Sequence, residues 1–230
     1  MNISEPMTLF TDYVVAAVCG YLSVKLLQQA GADRPAKLWG IAFAVIAFAS
    51  ITGGSYHGFA PNLDVFARAV LWKFTVYAIG IFDLIVVAAT ILAAVPARAR
   101  PWLLGVAGLK FLVYAAWMTT HNEYVYVILD SAGAMVVLLV FHAYSLVARR
   151  DAASRWIVTA VIVSAVAAAV QASGLDLHLH FNHNDLYHVI QIAAMLMFGA
   201  GAKQLRSYAE PFLATATNTP ARSNAPNLHD

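Results

Sequence analysis

The chain has 230 residues, of which 61% are hydrophobic and 11% charged, and its formal net charge is +2. A soluble domain carries about 45–50% apolar and about 25% charged residues, and surface-to-volume scaling leaves so large a surplus exposed in water, so lipid is the expected solvent. Disorder, collagen and a disulfide scaffold are excluded, Cys19 being the single cysteine, and the small net charge with no basic stripe argues against a nucleic-acid partner.

The N-terminal stretch MNISEPMTLFTDYVV is acidic rather than basic and has no small-residue cleavage site. Its apolar run therefore reads as a retained span and not as a signal peptide. Windows of about 19 residues predict seven spans in chain order: Leu9–Gln28, Leu38–His57, Phe66–Val95, Trp102–Thr119, Tyr124–Ala148, Trp156–Ser173 and Leu186–Leu205. The third and fifth are long enough to tilt. The links are short and carry Gly, Pro, Asn or charge. The expected fold class is an all-α membrane protein, a seven-transmembrane helix bundle over residues 1–207, with a disordered cytoplasmic tail over 208–230. Its first partner is the lipid bilayer.

Eleven of the 14 basic residues fall on alternate links or the tail, all on one side. The positive-inside rule then puts the N-terminus outside and the C-terminus in the cytoplasm. Trp39, Trp102 and Trp156 each open a span at the inner side, where an interfacial position is expected. Of eight histidines, six collect at the other side: His57, His121, His178, His180, His183 and His188. Histidine is the commonest metal ligand.

Leu175–His188 reads LDLHLHFNHNDLYH. Its first half alternates polar and apolar residues, as an extended stretch would. Its second half opens a helix. With Asn184 as N-cap, His183 and His188 sit at positions that touch across a helix start. With Asn182 as the cap, that pair is lost and His180 competes with His188 instead. His57 ends the second span at the same outer depth, with Ser50 two turns deeper on its face. Gly53 and Gly54 allow another helix close approach. Three histidines with a water in the fourth position form the pattern of a catalytic zinc site. The candidate zinc ligands are thus His57, His183 and His188.

These positions resemble the CREST superfamily of seven-span membrane proteins, which includes alkaline ceramidases and the progestin and adipoQ receptors. Members bind zinc through one His late in the second span and an HxxxH pair opening the seventh. They also carry a Ser four residues before the first His and an Asp on the third span. Here His57 matches the first ligand and His188 the second His of the pair. Asn184 replaces the other, with His183 beside it. Gly53 stands at the Ser position, with Ser50 and Ser55 nearby. Asp64 is a shallow match to the third-span Asp, Asp83 lying deeper. The resemblance implies a zinc-dependent hydrolase that cleaves a lipid amide or ester with zinc-bound water. Asp130, Asp64 and Ser50 are its candidate catalytic residues.

Charges within spans are costly and are usually paired or functional. Asp83 and Lys110 are expected to pair by depth, and Lys73 to match Asp130. Asp130 could also orient an imidazole or accept a proton. The echo of His121-Asn122-Glu123 in His183-Asn184-Asp185 reads as repeated capping chemistry, with His121 a fourth candidate ligand. Two other classes stand beside the hydrolase. One is a receptor or binding protein with structural zinc. The other is a haem-binding electron carrier using His57 and His188, in which His142 lacks a partner for a second haem. A retinal protein is disfavoured, because the seventh span has no mid-membrane lysine.

Overall fold

A computed structural model describes residues 2–178 and 181–208. Among the described residues, seven helices are long and apolar enough to cross a membrane. They are α1 (Pro6–Gln29), α2 (Arg34–Phe59), α3 (Val65–Ala94), α4 (Arg100–Thr120), α5 (Tyr124–Arg149), α6 (Ala152–Ser173) and α7 (His183–Ala202). The tail beyond Tyr208, with His229 and Arg222, and His180 lie outside the described residues.

The helix ends follow from local chemistry. Proline stands in the first turn of α1, α2 and α4, where its missing N–H and fixed φ cost nothing. The Asp64 carboxylate accepts from the Ala67 N–H at 2.7 Å and so caps α3. Asp151 caps α6 through the Ala153 N–H at 3.2 Å. Gly174 ends α6 at a φ of 64°, which favours glycine. The start of α7 is a full capping box. The Asn182 Oδ1 accepts from the Asn184 and Asp185 N–H groups at 2.8 and 3.2 Å, and Asp185 Oδ2 accepts from the Asn182 N–H at 2.9 Å. Asn182, not Asn184, is therefore the cap. His178 and Phe181 exchange backbone hydrogen bonds of 3.1 and 2.9 Å, which a run extended through Leu175–Asn182 cannot make.

Six helices close a ring in the order α1, α2, α3, α5, α6, α7 and back to α1. The fourth helix stands outside it, packed mainly on α3. Only Tyr114 and Met118 of α4 are buried. Tyr114 covers Gly80 of α3, where a β-carbon would overlap its ring, and its hydroxyl donates to the Val76 carbonyl at 2.8 Å.

The starts of α1, α3, α5 and α7 share one end of the ring with the close of α2. We call it the histidine end; the opposite, basic end holds most Lys and Arg residues. The main core lies toward the basic end. Trp39 stacks on Phe198 with ring centroids 5.1 Å apart and is fully buried. It is thus a core residue and not an interfacial anchor, whereas Trp102 is exposed. His142 is also buried there, between Thr90 and Ser154 at 3.3 and 2.9 Å. Tyr208 docks on this end through its N–H to the Leu92 carbonyl at 3.0 Å, under the Arg149 guanidinium.

Candidate functional site

A chamber of about 700 Å³ opens inside the ring, within the size range of small-molecule sites. Its walls come from α1, α2, α3, α5, α6 and α7. Toward the histidine end, the lining is polar: Asp12, His57, Gln171, Asn184, Tyr187 and His188. Toward the core it becomes apolar, with Ile46, Phe82, Met135, Leu139 and Met195. Polar side chains line it below the histidine end too: Ser50, Thr75, Gln191 bonded to Ser164 at 3.3 Å, and Asp83 with Ser131.

The polar end is built by the first helix against the last. Thr8, Thr11 and Asp12 share one face of α1, since residues three and four apart are neighbours on a helix. Asp185 and His188 share one face of α7 for the same reason. Thr8 Oγ1 donates to Asp185 Oδ1 at 2.9 Å. Thr11 Oγ1 meets His188 Nδ1 at 2.9 Å, and Asp12 Oδ1 faces His188 Nε2 at 3.4 Å. These contacts close the ring and present His188 to the chamber. Gly54 makes room for them: a β-carbon there would stand 2.8 Å from the Asp12 β-carbon. Close helix approach is what the glycine pair leads one to expect.

His57 lines the same end from α2, with its Nδ1 3.3 Å from Glu5 Oε2. The chain start straps over it. Ser4 donates to the His57 carbonyl through its hydroxyl and to the Gly58 carbonyl through its N–H.

The remaining sequence candidates divide. Ser50 lines the chamber. His183 does not; its Nδ1 and backbone N–H both sit on the Asp176 carboxylate, at 2.8 and 2.9 Å. That contact holds the Asp176 carboxyl below its ordinary value. Asn182 capping explains the separation, because it puts His183 in the first turn of α7 on the side facing Asp176. Asp64 is an exposed helix cap away from the chamber. Asp130 pairs with Lys110, Nζ to Oδ1 at 2.8 Å, and Lys110 also donates to the Asp130 carbonyl at 2.8 Å. The expected Asp83–Lys110 bond is therefore replaced by Asp130–Lys110, and Asp83 accepts from the Ser131 hydroxyl at 2.6 Å. Lys73 caps the end of α4 at the Met118 and His121 carbonyls and not Asp130. His121 stacks on Trp117 with centroids 4.0 Å apart.

Among the described residues, no three His, Cys, Asp or Glu side chains converge closely enough to hold one metal ion. Asp12 and Glu5 are the site residues that sequence reasoning missed. A lone acid in the first span, one turn from two threonines, was the signal for Asp12.

A protein-family model described as a family of unknown function (DUF6962) matches residues 7–207, and the chain belongs to that family. No curated protein and no solved structure matches it.

Proposed function

We propose that this is a multi-pass membrane protein, N-terminus outside, that takes a lipid-like amphiphile into its chamber. The polar group of that molecule rests against Asp12, His57 and His188, and its chain lies along the apolar walls. The observation that carries this reading is the gradient within the chamber, polar at one end and apolar at the other. Binding sites of this kind are mostly apolar with a few converging polar groups. The side wall also favours a ligand from the bilayer. Ile128 and Val136 of α5 and Ala165 and Ala168 of α6 line the chamber and are exposed, so this wall is apolar and open to contact by a chain. The orientation rests on the one-sided basic residues.

The test is binding by the purified protein in nonionic detergent. Single-chain amphiphiles of graded chain length should raise its melting temperature, with an optimum length set by the chamber. Ala132→Trp and Ala168→Trp, which fill the chamber, should abolish the effect. Stabilisation that survives both substitutions would place the ligand elsewhere.

A zinc-dependent lipid hydrolase of CREST type is the second reading, and the His188 contacts favour it. The Thr11 hydroxyl has one proton and two neighbours, the Thr8 carbonyl at 3.1 Å and His188 Nδ1 at 2.9 Å. When that proton goes to the carbonyl, Nδ1 must be the donor. A neutral His188 then turns a bare Nε2 lone pair toward the Asp12 carboxylate. A proton on Asp12 or a cation belongs between them. The 3.4 Å gap is long for a charged hydrogen bond and close to the edge, about 3.3 Å, of a tetrahedral zinc site. Two imidazoles and a carboxylate suit zinc, so His57, His188 and Asp12 would hold it after closing in around the ion. Zinc would supply an acidic water and a Lewis acid at the polar end. Ser50 lies below that end and would contact the substrate chain. Metal content of the protein and of its Asp12→Ala, His57→Ala and His188→Ala variants tests this reading. One zinc per chain, lost in each folded variant, is expected. A metal-free parent refutes it.

A further inference from the structure

The seam between α6 and α7 carries a polar rung below the histidine end of the chamber. Asn184, His188, Gln191 and Met195 line the chamber from α7, and their spacing of four, three and four residues puts them on one face. Gln191 therefore stands one turn, about 5 Å, below His188, with Met195 a further turn toward the core. Across the seam its amide meets Ser164 of α6, Nε2 to Oγ at 3.3 Å.

Polar side chains between membrane helices commonly hold the helices together. This contact is long for that role, since N–H···O distances run to about 3.2 Å, and it uses one of the amide's several hydrogen-bonding positions. Among the described residues, Gln191 has no other side-chain hydrogen bond. The buried side-chain polar atoms left without a partner there are the Trp39 indole nitrogen and Asp83 Oδ1. The Gln191 amide oxygen is not one of them, so it is open to the chamber that Gln191 lines. Its polar neighbours are engaged or deeper. Thr75 is held by Thr52 and the Leu71 carbonyl, and Asp83 by Ser131; Ser50 lies two turns from His57. A hydroxyl group matches what the rung leaves free. It is both donor and acceptor, so it fits the amide in either orientation.

We propose that Gln191 and Ser164 bind a second polar group on the ligand's chain, so that the chamber selects an amphiphile hydroxylated part-way along that chain. With the head at Asp12, His57 and His188, one helical turn corresponds to about four bonds of an extended chain at about 1.2 Å each. That puts the hydroxyl on the fifth carbon. This rests on the reading of the chamber as an amphiphile site, and adds to it the class of ligand.

The experiment compares 1,5-decanediol with its isomer 1,10-decanediol, and both with decanol, by calorimetry on the purified protein in nonionic detergent. The isomers contain the same atoms and two hydroxyls each, so they differ only in where the second hydroxyl lands. In the 1,10 isomer it falls among the apolar walls beyond Met195, where it goes unpaired. The 1,5 isomer should bind at least about fivefold more tightly, the effect of one net hydrogen bond. Gln191→Leu, which keeps the bulk of the side chain and removes the amide, should bring the two isomers to equal affinity. Equal affinities in the native protein, or tighter binding of the 1,10 isomer, overturn the inference, while decanol binding leaves the chamber reading intact. That comparison needs no variant to fold. A preference that survives in folded Gln191→Leu also overturns it, by placing the hydroxyl elsewhere. Binding of none of the three compounds overturns both readings.

Discussion

Replacing Lys110 by methionine keeps the length and apolar stem of the side chain and removes only its charge. Asp130 then loses its single cationic partner. At the 2.8 Å separation observed and an effective dielectric of about 20, the direct attraction is about 6 kcal/mol. The net effect is smaller, because the pair has already been drawn from water and the lysine side chain is 41% exposed. Removing one partner of a buried pair costs about 3–5 kcal/mol, and the lower figure suits a half-exposed lysine. Lys110→Met should therefore destabilise the protein by about 3 kcal/mol in denaturant titrations of detergent-solubilised protein. Adding Asp130→Asn should restore most of that loss, since it removes the stranded charge. Adding Asp83→Asn instead should restore less, because Asp83 is bonded to Ser131. Asp83→Asn acting as the better rescuer would show that Lys110 belongs to Asp83 and refute the pairing. Equal failure of both rescues would show that the loss comes from the hydrogen bond to the Asp130 carbonyl and not from a stranded charge.

Gly54→Ala puts a methyl 2.8 Å from the Asp12 β-carbon; overpacking of this kind costs about 1–3 kcal/mol, and the shift of α1 should weaken amphiphile binding at the polar end. Unchanged stability and binding would mean that α1 is not seated as described. Asn182→Ala removes the acceptor of two α7 N–H groups and should cost about 1–2 kcal/mol by denaturant titration, whereas Asn184→Ala should cost clearly less. Asp176 titrates below its ordinary value because the His183 side chain donates to it. A lowered carboxyl stabilises the fold above its unfolded pKa and loses that effect as pH falls through its folded value. The melting-temperature advantage over Asp176→Ala should thus be present at neutral pH and vanish in strong acid; an advantage that grows on acidification contradicts the contact. Reporter fusions after Arg150 and after His178 should report cytoplasmic and external locations respectively, and both on one side would overturn the proposed topology.

The number and position of the long apolar helices were legible because each depends on the transfer of one short segment from water, a sum over neighbouring residues. Turn chemistry was nearly as local: the Asp64 cap can be read within four residues of chain. The α7 cap was ambiguous only because two asparagines stand two residues apart, and a shift of two residues turns a helix by about 200°. That shift carried His183 away from His57 and His188 and onto Asp176.

The composition of the polar end was a tertiary matter. Asp12 is one acid in the first span until α1 meets α7, whose contacting residues are 177 positions away at Thr11 and His188. Depth alone could not choose between Asp83 and Asp130 for Lys110, because that choice depends on rotation about the helix axis and on α4 standing outside the ring. Ring closure by the first and last helices creates the chamber. No single segment encodes it, because its volume is the space six helices leave when glycines, threonines and one histidine set how closely they approach.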